Sequence, residues 1–547
     1  MLFGNFWLAF LALFFLSLAE SLHVTPDIAD EQLRNVYDYI IVGGGTAGLT
    51  IANRLSENPA VSALVLEAGP LDDARNLSIP GGLLPVQGTI GPGEWQKYQW
   101  GLTTELQTYP NNQNVGIPQG KAVGGSSILN GLCWSRGSVS DYDGWENLGN
   151  KGWSWNDLLP YFKKSEKFTF SVEPHDAKEL HIRPQSAAHG YNGSVHVSYP
   201  QYFYDQSSNV LDGFAELGLP IIGDVNNGTA AGAMILPSSM HPDNQTRFDA
   251  REAYFDSASS RYNLHIATNQ TVTQLESEGY GSRACSKQQV QGEINFLYPR
   301  GNCFGWCDLH SHFTSGIGNW TVRCSQVARH FVKIDLPGIG YNLQDHPMVY
   351  ANYYYRDESY FRSDEITDDV YDEVAEEYIR NSTAAQKTFS RGTVGPSLSS
   401  IFDLPKLDPR YCSDPIDCET IVLGLQMNTG LIQTNAMKEH MPEAESVFDT
   451  TDHETLIKHV TEKIATERHF LGTAAMMPLE LGGVVDPELK VYGTCNLRIA
   501  DASIMPLVPS AHLQASVYAI AEKAADMIKS AKPDCRIRER LPFPPRA

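Results

Sequence analysis

The chain has 547 residues, 42% of them hydrophobic, so it is too long for one ordinary core and apolar enough to build more than one. Lys and Arg total 41 against 64 Asp and Glu, which gives a formal net charge of -23 at pH 7. This charge argues against binding to nucleic acid or to an anionic membrane through bulk electrostatics, and solubility is the simpler explanation of the acidity.

An apolar segment near the start, Phe6 to Ala19, has the length of the hydrophobic part of a secretory signal peptide. Ser17 and Ala19 are small residues at the spacing of a cleavage site, and the segment is too short to span a bilayer. No Lys or Arg precedes it, so a membrane anchor is the alternative. We expect residues 1–19 to be removed as a signal peptide, leaving a secreted chain with no stable membrane anchor.

Seven N-x-S/T sequons are consistent with N-glycosylation along a secretory route. They lie at Asn76, Asn192, Asn227, Asn244, Asn269, Asn319 and Asn381. Nine cysteines are too few for a disulfide scaffold, but Cys412 and Cys418 are close enough in sequence to form a local disulfide.

The most informative local pattern is Y-D-Y-I-I-V-G-G-G-T-A-G, which begins at Tyr37. Tyr37 to Val42 predicts a buried parallel strand, and Thr46 to Glu57 predicts the helix after the glycine turn. A second strand, Val61 to Leu66, ends at Glu67, where an acid can accept hydrogen bonds from an adenosine ribose. A glycine loop without a ligand is the alternative for such a turn alone, but the ordered unit predicts a dinucleotide site. Its predicted binding residues are Gly43, Gly45, Thr46, Ala47, Gly48 and Glu67.

A second glycine-rich block, Gly120 to Asp143, offers bare backbone and hydroxyl groups suited to a flat polar ligand such as a flavin. A glycine-rich surface loop is the alternative. The spacing from Gly120 through Asn130 and Trp134 to Asp143 resembles the first signature of the glucose–methanol–choline (GMC) oxidoreductases, which are FAD enzymes that oxidise alcohols. The resemblance implies that the cofactor-binding residues of this block are Gly124, Ser126, Asn130 and Gly131.

The resemblance also bears on how FAD is held. Some family members attach the flavin to a histidine in this block, but residues 130–133 include none, so non-covalent FAD is implied. Val272 falls where family members contact the adenine through the backbone, and Asp501 falls where they hold the ribityl side of the flavin.

The same resemblance implies an α/β fold, α+β overall, with a Rossmann-type FAD-binding domain and a discontinuous substrate-binding domain built on an antiparallel sheet. We expect residues 37–345 to form the N-terminal FAD-binding region with substrate-lobe insertions. Residues 346–478 then form the substrate-binding region, and residues 479–531 return to the FAD domain.

The chain departs from the family pattern between residues 281 and 335. Four cysteines lie in this segment, at Cys285, Cys303, Cys307 and Cys324. Three interpretations stay open at this point. One is a metal site formed by Cys303, Cys307, His310 and His312, although their spacing matches no familiar zinc site. The others are genuine divergence, which would put activity in doubt, and a wrong reading frame or splice in the gene.

Two histidines near the C-terminus carry the predicted reaction. His469 begins H-F-L-G-T-A-A-M-M-P, and His512 follows it before a helix predicted from Ser516 to Ile528. By resemblance His469 is the catalytic base and His512 its partner, although Asn replaces the second histidine in some members, so His512 could position rather than transfer a proton. A neutral imidazole suits the removal of the hydroxyl proton as hydride leaves the carbinol carbon for flavin N5.

The expected function is FAD-dependent oxidation of a primary or secondary alcohol to the carbonyl, with O2 or a quinone-type electron acceptor. Sugars, aryl alcohols and fungal-type secondary-metabolite alcohols are all open as substrates. Two alternatives are a lyase similar to the hydroxynitrile lyases of the same fold and an inactive flavin-binding relative.

Overall fold

The computed structural model describes most of the two glycine-rich blocks and of the C-terminal part of the chain. The described residues are 33–34, 36–73, 96–108, 112–204, 206–272, 336–349, 390–397, 404–438, 440, 452–494 and 496–531. Backbone alone is described at 22–24, 273–278, 281–287, 293–295, 303–304, 353–354 and 443–444. The expected signal peptide and the side chains considered for a metal site near residue 307 lie outside the described residues, as do three sequons, at Asn76, Asn319 and Asn381.

Short strands alternate with helices along the described chain. The strands are β1 (Leu22–Val24), β2 (Tyr39–Val42), β3 (Ala63–Leu66), β4 (Leu102–Thr103), β5 (Gly116–Ile117), β6 (Glu166–Thr169), β7 (Val195–Ser198), β8 (Leu264–Ala267), β9 (Val272–Glu278), β10 (Gly281–Lys287), β11 (Glu293–Asn295), β12 (Cys303–Phe304), β13 (Tyr341–Leu343), β14 (Pro347–Met348), β15 (Tyr353–Tyr354), β16 (Gly392–Gly395), β17 (Lys406–Asp408), β18 (Glu443–Ala444) and β19 (Ala465–Thr466). The α-helices are α1 (Thr46–Ser56), α2 (Val139–Asn147), α3 (Trp155–Ser165), α4 (Pro174–Glu179), α5 (Gln206–Glu216), α6 (Pro415–Ile432), α7 (Asn435–Lys438), α8 (His453–Lys463) and α9 (Leu513–Ser530).

A parallel sheet in the order β1-β8-β3-β2-β12 forms the nucleotide-binding half of the molecule. All four side chains of β3 are buried, as expected for a parallel strand covered on both faces. The predicted strand–turn–helix–strand unit is confirmed, with β2 and β3 paired from Tyr39 with Ala63 to Val42 with Leu66. The Rossmann-type fold expected from this pattern is therefore correct.

Helix α9 brings the C-terminal part of the chain back onto this half. Its predicted core is confirmed, and the helix begins slightly earlier, at Leu513. Small buried alanines allow α9 to pack closely against α1 and α3. Its one fully buried acid, Glu522, pairs with Arg54 of α1 at 2.7 Å and accepts a hydrogen bond from Tyr254 at 2.9 Å. The buried carboxylate is thus compensated, as burial requires.

An antiparallel sheet, β13-β16-β17, provides the second kind of sheet that the fold class predicts. Beside it, helices α6 and α8 share a small apolar core. The suspected disulfide between Cys412 and Cys418 is confirmed, with 5.3 Å between the Cα atoms, and it closes the loop that leads into α6. Among the helices that the structure describes, none has the length and apolar character needed to cross a membrane.

Candidate active site

The glycine turn between β2 and α1 has no room for side chains. A Cβ atom on Gly48 would lie 2.0 Å from the carbonyl oxygen of Gly43, and Gly43 itself has a φ of +95°. Helix α1 starts after Gly45, and no side chain caps its N-terminus. The backbone N–H groups of its first turn, beginning with Thr46 and Ala47, therefore lie where a pyrophosphate binds in this type of unit.

The second glycine-rich block lies directly on this turn. The Gly124 N–H donates to the Gly44 carbonyl at 2.8 Å, and a Cβ on Gly125 would come within 2.7 Å of the Gly45 Cα atom. Gly124 and Gly125 both have positive φ, at 103° and 57°. The two predicted cofactor-binding segments thus form one continuous backbone surface.

Glu67 lies at the end of β3, where the sequence predicts the ribose-binding acid. Its buried carboxylate accepts hydrogen bonds from the N–H groups of Gly44 at 2.7 Å and Gly69 at 2.8 Å. Burial raises the pKa of Glu67 to about 7, against the opposing effect of these two hydrogen bonds. A bare glycine cradle followed by a carboxylate at the next strand end fits the adenosine diphosphate part of FAD.

Ser126 and Asn130 hold the second block in place. The Ser126 hydroxyl donates to the Gln119 side-chain carbonyl at 3.0 Å. Asn130 accepts from the Arg247 guanidinium at 2.8 Å and donates to the Gln514 side chain of α9 at 3.0 Å. Through these hydrogen bonds both residues stabilise the conformation of the block. A direct contact of either residue with the flavin stays a prediction.

The remaining predicted cofactor residues lie at three separate places. Gly131 has open space where a Cβ would be. Val272 is buried at the start of β9. Asp501 caps a short 3-10 turn, where it accepts from the Ser503 N–H at 2.9 Å and from its hydroxyl at 2.6 Å. Burial raises the pKa of Asp501 to about 7. Their roles toward FAD stay predictions.

The two predicted catalytic histidines are neighbours in the fold. The rings of His469 and His512 lie edge to face, with centroids 5.3 Å apart and an angle of 88° between their planes. His512 is the cap residue of α9, so it stands at the positive end of a long helix. His469 and His512, which are distant in sequence, thus form one polar site at the start of helix α9.

Ser135 positions His512 and was missed by the sequence interpretation. Its hydroxyl oxygen accepts the backbone N–H of His512 at 3.1 Å and lies 3.2 Å from the ring Nδ1 atom. The only local signal was a hydroxyl residue within the second glycine-rich block, beside Trp134. Because two separate bonds join the same pair, both the helix start and the ring orientation are held.

His346 is the second missed residue, and it contacts His469. The Nδ1 atoms of the two rings are 2.8 Å apart, and His346 is completely buried. Burial, followed by electrostatic interaction with His346, His512 and Arg468, keeps the pKa of His469 well below its usual range. His469 is consequently neutral at neutral pH, as a proton acceptor must be. The signal for His346 was its place at the end of G-I-G-Y-N-L-Q-D-H.

Asp345 fixes the backbone of the segment that carries His469. Its buried carboxylate accepts the His469 N–H at 2.8 Å, the Tyr411 hydroxyl at 2.6 Å and the Thr466 hydroxyl. Burial raises the pKa of Asp345 to about 6. Arg468 has a φ of +64°, an uncommon conformation for a residue with a side chain, and the surrounding bonds hold this strained turn.

Comparisons with known proteins agree with this fold. Two GMC oxidoreductase family models match residues 37–295 and 388–521. The chain is 30% identical over 586 aligned residues to the GMC oxidoreductase family protein Mala s 12 of Malassezia sympodialis, covering 90% of this chain and 92% of that protein. The match to the first family model ends inside the segment where the sequence departs from the family pattern.

Solved structures show the same similarity in three dimensions. An FAD-dependent oxidoreductase from Chaetomium thermophilum superposes with a TM-score of 0.82 at 29% identity, covering 90% of this chain and 99% of that chain. A fungal aryl-alcohol oxidase superposes with a TM-score of 0.79 at 25% identity, covering 91% of this chain and 99% of that chain.

The family models and the solved structures identify an FAD-dependent oxidoreductase that acts on CH–OH groups. The chain belongs to the GMC oxidoreductase family.

Proposed function

We propose that this protein oxidises a primary or secondary alcohol to the carbonyl, with His469 as the base and His512 orienting the alcohol oxygen. The observation that supports this most directly is the edge-to-face pair of rings 5.3 Å apart, one of them held neutral by its surroundings. FAD, bound without a covalent link, supplies the hydride acceptor at its N5 atom. The electron acceptor in the second half of the cycle is O2 or a quinone-type molecule.

The Nδ1 contacts of the two rings are compatible with one assignment of their protons that suits the reaction. If the Nδ1–H of His469 donates to Nδ1 of His346, the Nε2 atom of His469 carries the lone pair that takes the hydroxyl proton. If the Ser135 hydroxyl donates to Nδ1 of His512, its Nε2–H donates to the alcohol oxygen. One ring then accepts a proton while the other holds the oxygen, which is the division of labour that general-base catalysis needs.

The test is anaerobic flavin reduction over a panel of alcohols, with His469→Ala and His512→Asn as variants. Loss of a general base costs about 10² to 10⁴ in rate, so His469→Ala should slow reduction by that much and retain the flavin. His512→Asn should cost less, because Asn can still donate to the hydroxyl. If neither variant slowed reduction, the mechanism would be wrong, and a flavin that no alcohol bleached would favour the lyase or the inactive relative.

We also propose that the protein is secreted and N-glycosylated. The Cys412–Cys418 disulfide supports an oxidising compartment, and the sequon residues Asn192, Asn244 and Asn269 are exposed. In a secreting eukaryotic host the mature chain should begin near Glu20 and lose mass on deglycosylation. Membrane-bound protein with an intact N-terminus would contradict the proposal, and N-terminal sequencing of the medium and membrane fractions distinguishes the two.

A further inference from the structure

A third polar group stands beside the catalytic histidines. Glu467, His469 and His512 each offer one ligand atom, and these atoms all lie within 4.8 Å of one another. The left-handed conformation of Arg468 turns the chain between the first two of these residues. The Glu467 N–H donates to the His346 carbonyl at 3.0 Å, so the backbone that carries the carboxylate is fixed to the same site.

Two imidazoles and one carboxylate are the ligand set of open zinc sites. Bond lengths of about 2.0 to 2.2 Å in a tetrahedral arrangement place ligand atoms roughly 3.3 Å apart. The three groups need to approach by at most about 1.5 Å from their 4.8 Å limit to bind an ion in this way. All three residues are half-buried, so an ion from solvent can reach the site.

Both histidines already have the outer partners that metal-binding histidines use. A ligating imidazole normally engages its other nitrogen with a hydrogen-bonding group that fixes the ring. Here Nδ1 of His469 lies 2.8 Å from Nδ1 of His346, and Nδ1 of His512 lies 3.2 Å from the Ser135 hydroxyl. Nε2 is therefore the nitrogen that each ring presents to an ion.

We propose that Glu467, His469 and His512 form a binding site for a divalent transition-metal ion such as Zn2+, and that the bound ion inhibits the enzyme. Metal binding uses the lone pair on His469 that otherwise accepts the hydroxyl proton, and it occupies the place of the alcohol oxygen. Mg2+ and Ca2+ prefer sites made of oxygen atoms alone, so they should not compete. The inhibition rests on the proposed alcohol oxidation, whereas the binding does not.

Calorimetric titration of the flavin-containing protein with Zn2+ tests the binding. Wild type should bind one Zn2+ ion tightly per chain at this site. Glu467→Gln and His512→Asn should each lack this tight binding. Loss of an outer partner alone weakens metal sites about 10- to 100-fold, so loss of a ligand should cost at least as much. Glu454→Gln, which changes an exposed carboxylate on α8, should titrate like wild type. Flavin content matching wild type shows that each variant is folded, and identical titrations of wild type and both ligand variants would overturn the site.

Anaerobic flavin reduction tests the inhibition. Zn2+ should raise the alcohol concentration needed for half-maximal reduction without changing the limiting rate, and EDTA should reverse the effect. Mg2+ at the same concentration should do nothing. A lower limiting rate at unchanged half-saturation would overturn inhibition at this site. If no alcohol reduces the flavin, the proposed function fails, and the calorimetric difference between wild type and Glu467→Gln still decides whether the metal site exists.

Discussion

At the scale of single residues, the chemistry depends on which nitrogen of His469 bears a proton. The buried His346 ring meets His469 nitrogen to nitrogen at 2.8 Å, and the proposed mechanism requires His469 to be the donor of this pair, since that leaves its Nε2 atom basic. Asp345 then holds the His469 backbone at 2.8 Å. Two neighbouring residues, Asp345 and His346, thus contact the backbone and the ring of the proposed base.

The depressed pKa of His469 predicts the pH profile of flavin reduction. The base works only when neutral, so the rate should stay level from neutral pH down through 6.5, the ordinary pKa of histidine, and fall only at lower pH. His346→Gln removes a neighbouring titratable ring whose electrostatic interaction lowers this pKa, so its profile should begin to fall at a higher pH. Stopped-flow reduction without oxygen measures both. A wild-type profile that already falls above pH 6.5 contradicts the assignment.

At the scale of elements, the β2–α1 turn and the second glycine-rich block act as one unit. Gly48 allows the helix to start against the Gly43 carbonyl, and Gly125 allows the block to touch Gly45. Because both contacts are between backbones, they are sensitive to a single added methyl group. Neither depends on the substrate or on the catalytic histidines.

Gly48→Ala should therefore yield protein with little flavin. The added Cβ would lie 2.0 Å from a carbonyl oxygen, so the turn must open. Overpacking of this kind costs about 1 to 3 kcal/mol, which corresponds to about 5- to 150-fold in FAD affinity if the turn bears the cost. Gly116→Ala is the matched control, since a Cβ there meets nothing within 4 Å. The flavin-to-protein absorbance ratio after purification measures the effect. Equal ratios for the two variants would contradict the prediction that FAD binding requires this glycine turn.

The difference between what the sequence predicted and what it did not has a physical basis. The Rossmann unit follows from local patterns, since its strand, glycine turn and helix are adjacent in the chain. His346 and His469 are 123 residues apart, and Ser135 and His512 are 377 apart, so only the tertiary fold brings them into contact. Resemblance supplied the two histidines proposed as catalytic, but their hydrogen-bonding partners required the three-dimensional structure.

At the scale of the whole molecule, a buried charge cluster forms around Arg136 and Glu166. Arg136 and Glu166 pair at 2.6 Å with both side chains fully buried. His189 lies 3.2 Å from Glu166 and 3.4 Å from Asp224, and its ring stacks on Phe168. Burial opposes ionisation, but hydrogen bonds with Asp224 and Glu166 raise the pKa of His189. Burial raises the pKa of Glu166, but the Arg136 charge, His189 and the Gly190 N–H together outweigh it and lower that pKa.

Stability should respond to this cluster in two ways. Glu166→Gln leaves the Arg136 charge buried without its partner and should cost about 3 to 5 kcal/mol in the free energy of unfolding. The raised pKa of His189 means that its contribution is complete below its unfolded pKa of 6.5 and is lost as pH rises through the folded value. Chemical denaturation across this pH range measures both effects.

Two controls accompany that experiment. Glu173→Gln, an exposed carboxylate, should unfold like wild type. His189→Gln should reduce the loss of stability on the alkaline side, because the titrating ring is gone. A Glu166→Gln protein as stable as the Glu173→Gln control would show that the buried pair contributes little.

The contact between Gly125 and Gly45 also limits how this enzyme can change. Peptide groups rather than side chains make up the surface where the two loops meet. Most substitutions there would therefore add a side chain that blocks the contact between the loops. A directed library at these positions should give a nearly binary outcome, holoprotein or none, with few intermediate variants. Productive variation in substrate range should instead collect among the side chains around the histidine pair, such as Glu467, where size and charge can be altered by degrees.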